Sequence, residues 1–138
     1  MTVPNNVGDA IPELSFGPIT RSTLALYAGA SGDHVKIHID SDFAKAAGRA
    51  DVFAHGMLSM AQLGRLVTNW AGIDRLRSLQ CRFEAITNLG DTVRCSGTVV
   101  ERFQQNGETC LRLAVSAQVD NGTRTLLGEA VVAVDPAD

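Results

Sequence analysis

The segment from Gly56 to Ala71 is apolar almost all the way round when it is wound as a helix. Its polar residues are confined to one narrow stripe, and its large apolar residues are Met57, Leu58, Met60, Leu63, Leu66, Val67 and Trp70. A helix with this pattern in a small protein must be covered on most of its sides. The rest of the chain is therefore expected to fold around it.

The second half of the chain supplies a suitable cover. Apolar and polar residues alternate in three stretches that lie around Cys81, Cys95 and Val115. This period of two is typical of antiparallel strands with one buried face. The pairs Asn106-Gly107 and Asn121-Gly122 are strong hairpin signals between such strands. The last predicted strand, Leu126 to Val134, is apolar on both faces apart from Glu129, which indicates a central position or a strand covered by a partner.

The first half reads as helices and loops. Thr20 can cap a short helix through Tyr27-Ala28 that ends at Gly29 and Gly32, and Asp40 or Ser41 can cap a second helix that is closed by Gly48. The sequence thus predicts an α+β protein, in which one curved antiparallel sheet wraps around one long buried helix.

Length and charge exclude several classes of protein. A chain of 138 residues with 45% hydrophobic content fits one domain over residues 1–138. A net charge of −3 offers no basic face for nucleic acid. We expect no signal peptide and no membrane span, hence a cytoplasmic protein. The three cysteines lack metal-ligand spacing and are expected to be buried thiols.

The loop between the two predicted helices carries the best functional signal. Asp33 and His38 lie five residues apart and can share one polar pocket as general base and acid. Farther along, Gly56 opens the long helix and lets a ligand oxygen approach bare N–H groups at its start. Together these features suit addition of water to a conjugated thioester, which needs an activated water, a proton for C2 and donors for a developing oxyanion.

Residues around Gly56 complete the predicted substrate-binding end of the helix. His55 precedes it directly, and we interpret it as a packing or hydrogen-bonding residue rather than as a catalytic one. Met57 follows it, and Ser59 lies one turn into the helix, where its hydroxyl can face the pocket. No metal is expected at this site.

Motifs along nearly the whole chain resemble one known family, the MaoC-like (R)-specific enoyl-CoA hydratases and the related (3R)-hydroxyacyl-ACP dehydratases. The motifs that carry this resemblance are Val7-Gly8-Asp9, Tyr27-Ala28-Gly29, Ser31-Gly32-Asp33, Ile37-His38-Ile39-Asp40, Phe43-Ala44, His55-Gly56-Met57-Leu58, Asn88-Leu89-Gly90-Asp91 and Gly128-Glu129-Ala130. The resemblance implies the hot-dog fold, an obligate dimer of such folds, and reversible hydration of a trans-2-enoyl thioester.

The resemblance also implies roles for individual residues. Asp33 and His38 fall on the family's catalytic pair, and Gly56 falls on the glycine whose N–H supports the thioester carbonyl. The substrate is then a thioester of coenzyme A or acyl carrier protein, and no further cofactor is expected. The chain departs from the family at one point, since Val35-Lys36 stands where the family usually has Asn-Pro. With this departure, a second assembly stays open, in which the chain is one half of a heterodimer and not of a homodimer.

Three alternatives stay open from the sequence. The chain could be a non-catalytic hot-dog subunit that completes a partner's tunnel, or an acyl-thioesterase on the same fold. The third is a metal oxygenase, because His38, Asp40 and His55 imitate a two-His-one-carboxylate site. Asp40 is, however, better explained as a helix cap.

Overall fold

The computed structural model describes residues 4–136. Its strands form one antiparallel five-stranded sheet in the order β1-β3-β4-β5-β2. The strands are β1 (Leu14–Phe16), β2 (Leu76–Phe83), β3 (Val93–Gln105), β4 (Glu108–Gln118) and β5 (Arg124–Val134). The α-helices are α1 (Arg21–Ser31), α2 (Ser41–Ala46) and α3 (Gly56–Ala71), and short 3-10 turns occupy Lys36–His38 and Ile73–Arg75.

Helix α3 lies against the inner face of the sheet and fills the core. Leu63, Leu66 and Val67 are fully buried there, together with inward-facing residues of β3, β4 and β5. The predicted α+β fold, a sheet wrapped around one long buried helix, is confirmed, and the helix has the predicted bounds. Its most exposed large apolar residue is Met57, in the first turn.

The turns and strand order account for the sequence pattern of the second half. Asn106 and Gly107 both have positive φ, as the tight hairpin between β3 and β4 requires. Strand β5 lies between β4 and β2, which is the central position that its sequence pattern indicated. Sequence reasoning missed β1, because its three residues are too short to show a period; it pairs with the start of β3.

The amino-terminal helices begin as predicted, but one ends later. The Thr20 side chain accepts a hydrogen bond from the N–H of Thr23, and that of Asp40, not Ser41, accepts from Phe43. Helix α1 continues through Gly29 and stops only at Gly32, whose φ of 77° ends it. A glycine inside a helix costs about 1 kcal/mol, which does not suffice to break one.

Two further predictions concern thiols and membranes. Cys95 and Cys110 are buried free thiols, whereas Cys81 is only half-buried because it lies on the edge strand β2. Within residues 4–136, none of the helices has the length and hydrophobicity that crossing a bilayer requires.

Candidate active site

Two chain segments meet beside the start of α3. The loop between α1 and α2 carries Asp33 and His38, and the segment that leads into α3 carries Phe53 and His55. A second apolar cluster packs α1, α2 and the start of α3 together, and its buried members are Ile19, Leu24, Ala44, Val52, Ala54 and Leu58. This small core fixes the two segments relative to each other.

Asp51 adds a polar tie between the same elements. Its carboxylate accepts hydrogen bonds from the Ser41 hydroxyl and from the N–H of Val52, both at 2.7 Å, and pairs with the Arg21 guanidinium. These hydrogen bonds, with that of Ser41 the strongest, hold the pKa of Asp51 down to about 2. Asp51 thus connects α1 and α2 to the segment that precedes His55.

The predicted pair comes together in space. One ligand atom each of Asp33, His38 and His55 lies within 4.8 Å of the other two. One water molecule can bridge two polar atoms at such a separation, since each hydrogen bond spans about 2.8 Å. The Asp33 carboxylate also accepts a hydrogen bond from the N–H of Val35 at 3.2 Å, which closes the loop around it.

The main chain sets the tautomer of His38. Its Nδ1 lies 2.7 Å from the carbonyl oxygen of Phe53, which can only accept a hydrogen bond, so Nδ1 carries the proton. In the neutral imidazole, Nε2 then bears the lone pair and is the nitrogen that can take a proton. The Phe53 ring meets the His38 ring edge-on at 5.1 Å and limits its rotation.

His55 lies beneath this pair and is only 1% exposed. Its Nε2 donates to the main-chain carbonyl of Asp33 at 3.1 Å, and its ring stacks on that of His38 with the centroids 4.1 Å apart. Burial lowers the pKa of His55, which favours the neutral ring. His55 therefore has the packing and hydrogen-bonding position that we expected from the sequence.

Tyr27 is a neighbour that sequence reasoning did not assign to the site. Its ring meets the His55 ring edge-on, with the centroids 4.8 Å apart. Burial, and then the charge of Asp33, raise the pKa of the Tyr27 phenol. Tyr27 thus presents a neutral phenol beside the His55 ring.

The start of α3 offers free hydrogen-bond donors. The side chain of His55, at the cap position, makes no hydrogen bond to the helix. The N–H of Leu58 donates to the carbonyl of His55 at 3.1 Å, whereas within residues 4–136 the N–H groups of Gly56 and Met57 have no acceptor. The ring of Phe83 packs directly against Gly56, because a Cβ atom at this position would lie only 2.8 Å from that ring. Donors and helix dipole together favour a negatively charged ligand oxygen at this point.

A cavity of about 310 Å³ adjoins this helix end. Gly56 and Ser59 contribute its helix side, and Phe53 and Phe83 contribute aromatic walls. Ser59 is 4% exposed, whereas Met57 is 54% exposed and is absent from the cavity wall. The structure thus separates the four residues predicted for substrate binding: Gly56 and Ser59 line the cavity, His55 lies under the Asp33 loop, and Met57 faces outward.

The positions of Asp40 and of the Asp33, His38 and His55 cluster test the alternative of a metal oxygenase. Asp40 caps α2 through its Oδ1, 3.1 Å from the N–H of Phe43, so it is engaged away from His55. The group that could hold a metal is instead Asp33, His38 and His55. Their ligand atoms all lie within 4.8 Å of one another, and around one ion with bonds of about 2.1 Å they would lie within about 4.2 Å.

Comparison with known families agrees with the motif pattern. The sequence profile described as "MaoC like domain" matches residues 6–121, which is most of the chain and includes Asp33, His38 and Gly56. The chain belongs to the MaoC-like family. The fold of the chain is accordingly the hot-dog fold. The MaoC-like family includes dehydratases and hydratases.

Two curated relatives show the range of proteins that carry such a domain. The 3-hydroxyacyl-thioester dehydratase Z of Mycobacterium tuberculosis is 27% identical over 119 residues, which are 82% of this MaoC-like chain and 78% of the relative. Fatty acid synthase subunit beta of Saccharomyces cerevisiae is 36% identical over 81 residues, which are 56% of this chain but only 4% of the yeast subunit. The chain thus corresponds to a small part of that synthase.

Solved structures show the same architecture. The R-hydratase PhaJ1 of Pseudomonas aeruginosa matches with a TM-score of 0.84 at 26% identity, over 99% of this chain and 92% of that one. The ChsH1-ChsH2 complex of Mycobacterium tuberculosis matches with a TM-score of 0.80 at 24% identity, over 94% and 98% of the two chains. At this identity the second match shows a similar fold only. That structure is a complex of two differently named proteins.

Three site residues of this MaoC-like domain were outside the reach of sequence reasoning. Tyr27, Phe53 and Phe83 lie on different elements and come together only through the fold. Phe53 acts through its carbonyl, which has no sequence signature. Tyr27 stood within a family motif, and its position one helix turn before the Asp33 loop was the only available signal.

Proposed function

We propose that this MaoC-like domain is a hydratase and dehydratase that adds water reversibly to a trans-2-enoyl thioester and forms the (3R)-hydroxyacyl thioester. The observation that carries the proposal is the arrangement of Asp33 and His38. Their polar atoms lie within 4.8 Å of each other, and the His38 tautomer leaves Nε2 free. This geometry suits a pair that holds one water molecule between a carboxylate and an imidazole.

The reaction needs two proton transfers on neighbouring carbons. In the hydration direction, the water oxygen bonds to C3 while one water proton passes to the Asp33/His38 pair, and the pair returns a proton to C2. The reverse sequence eliminates water. Groups positioned in this way contribute about 100- to 10,000-fold to a rate.

Negative charge develops on the thioester oxygen between these two transfers. The first turn of α3 supports its stabilisation, because within residues 4–136 the N–H groups of Gly56 and Met57 have no acceptor and point along the helix dipole. The aromatic rings of Phe53 and Phe83 line the adjoining cavity and reduce its contact with water. Gly56 directly follows His55, whose ring contacts the Asp33 carbonyl and the His38 ring, and this adjacency supports a thioester carbonyl at Gly56 with C2 and C3 beside the proposed pair.

The thioester carrier is coenzyme A or acyl carrier protein, and no other cofactor takes part in the proposed reaction. The direct test is a panel of trans-2-enoyl-CoA substrates of increasing chain length, followed through the absorbance of the conjugated double bond. Chiral analysis of the product is expected to give the (3R) alcohol. Release of free thiol without loss of the double bond would instead indicate a thioesterase.

A further inference from the structure

The cavity beside Gly56 is not uniformly apolar. Its walls include Phe83, Ile86 and Leu126, but also the hydroxyl residues Ser59 and Thr87. Both hydroxyl residues are 4% exposed, so they belong to the interior. An acyl pocket that accepts plain hydrocarbon has no need of buried hydroxyl groups.

Neither of these two hydroxyls is used by the fold. Within residues 4–136, no hydrogen bond involves the side chain of Ser59 or Thr87, although the main-chain carbonyl of Thr87 accepts from Ala54 at 2.9 Å. By contrast, the hydroxyl of Thr125, on the same cavity, donates to the carbonyl of Ala117 at 3.3 Å. Two of the three hydroxyls of this cavity are therefore free.

The free hydroxyls open into the cavity. In the described part of the chain, the fully buried side-chain nitrogen and oxygen atoms that lack a hydrogen-bond partner are His55 Nδ1 and Trp70 Nε1. The oxygens of Ser59 and Thr87 are not among them, so they still contact open space, and the space that both residues border is this cavity. A ligand in the cavity can therefore reach both.

The charge at the cavity wall restricts the ligand further. Glu84 also borders the cavity, and its carboxylate is 3.0 Å from the guanidinium of Arg124, which neutralises it in part. Among the described residues that line this cavity, none is a lysine, arginine or histidine that could pair with an acid. The cavity thus suits a neutral oxygen function better than a carboxylate.

We infer that the acyl chain accepted by this site carries a neutral oxygen, as a hydroxyl or keto group, which hydrogen-bonds to Ser59 and Thr87. This inference rests on the proposed hydration of an enoyl thioester and names its substrate class. A plain alkyl tail would bury both hydroxyls without partners, whereas a hydroxyl or keto group pairs with them. A site built to hydrogen-bond its substrate discriminates against an analogue that lacks the polar group.

The test compares trans-2-hexenoyl-CoA, its 5-hydroxy and 5-oxo analogues and the corresponding six-carbon diacid monothioester. With the wild-type protein, the kcat/KM of at least one of the two neutral oxygenated substrates should exceed that of the plain substrate by about tenfold. The diacid should be hydrated more slowly than either. Equal kcat/KM for plain and oxygenated substrates, or a preference for the diacid, would overturn the inference while leaving hydration itself established.

Two variants assign the preference to the named residues. Ser59→Ala and Thr87→Val remove one hydroxyl each with little change of shape, and each should reduce the ratio of oxygenated to plain kcat/KM toward one. Thr125→Val, which removes the hydroxyl already used by Ala117, should keep that ratio. An unchanged ratio in both Ser59→Ala and Thr87→Val would refute the assignment. If none of the substrates reacts, the proposed function fails, and the inference with it.

Discussion

The imidazole rings of His38 and His55 stack almost parallel, with an interplanar angle of 25° and 4.1 Å between the centroids. The two rings also have opposite hydrogen-bonding patterns: His38 donates through Nδ1 to Phe53, and His55 donates through Nε2 to the carbonyl of Asp33. Each histidine is thereby tied to a different segment. His55 therefore contacts both members of the proposed pair. Its ring stacks on the ring of His38, and its Nε2 donates to the main-chain carbonyl of Asp33.

The first prediction concerns the dependence of stability on pH. Burial lowers the pKa of His55 below its ordinary 6.5, so between these two values the unfolded chain binds the proton and the folded chain does not. Its contribution to stability is present above pH 6.5 and is lost as the pH falls through the folded pKa. Urea unfolding of the wild type from pH 7.5 to pH 5 should show this loss.

The matching variant is His55→Gln, which keeps an N–H donor but cannot titrate. It should be about 1 to 3 kcal/mol less stable at pH 7.5, because a buried ring is lost, and its stability should fall less steeply toward pH 5. His34→Gln is the control, since His34 is exposed. A slope in His55→Gln as steep as in the wild type would show that His55 is not the titrating group.

The second prediction concerns Gly56. A Cβ atom at this position would lie 2.8 and 2.9 Å from two atoms of the Phe83 ring, so Gly56→Ala must displace that ring from the helix end. We expect kcat/KM for an enoyl-CoA to fall about 10- to 100-fold, because misplacement at a reacting centre costs that much. The far-UV circular dichroism should not change.

Gly64→Ala on the same helix is the matched control. Its Cβ atom would meet Leu79 at 3.7 Å, an ordinary contact, so activity should persist and stability should stay the same or rise slightly. The double variant Gly56→Ala/Phe83→Ala removes the clash and should regain part of the activity. Wild-type kinetics for Gly56→Ala alone would show that the Phe83 contact has no role.

The sequence predicted the helices and turns around the site better than the contacts within it. The bounds of α3 and the hairpin at Asn106-Gly107 follow from local patterns, which act within a few residues. The contact of Phe83 with Gly56 depends instead on how the end of β2 meets α3, 27 residues away in sequence. Such long-range packing has no periodic signal, and neither has a carbonyl such as that of Phe53.

The third prediction concerns the unusual loop. Val35 has φ −59° and ψ 127°, which is the conformation that a residue before proline prefers, and Lys36 is exposed. Replacing Val35-Lys36 by Asn-Pro should therefore keep the fold and preserve or raise turnover, because proline lowers the entropy of the unfolded loop. Steady-state kinetics on a short enoyl-CoA measure this.

The single variant Lys36→Ala separates structure from binding. If Lys36 only faces solvent, KM should not change; if it contacts a substrate phosphate, KM should rise in both variants. We expect the first result. A large fall in kcat for the Asn-Pro variant, with KM and assembly intact, would contradict both interpretations of this loop.

The fourth prediction concerns assembly. Apolar side chains near the site remain exposed, with Met57 and Phe83 both at 54%, and β2 is an edge strand with one unpaired side. Surfaces of this kind are usually covered by a partner. We expect sedimentation at micromolar concentration to give a homodimer or larger oligomer. A stable monomer would contradict this, and a monomer that assembles only with another hot-dog subunit would favour a heterodimer.

The central claim is that Asp33 and His38 transfer the protons of hydration. Its most direct test is the initial rate of loss of the conjugated double bond of a trans-2-enoyl-CoA with Asp33→Asn and with His38→Ala, beside the exposed control His34→Ala. We predict that each of the first two variants stays folded and loses about 100- to 10,000-fold in kcat, while the control keeps its rate. Rates near that of the wild type in Asp33→Asn or in His38→Ala would contradict the account.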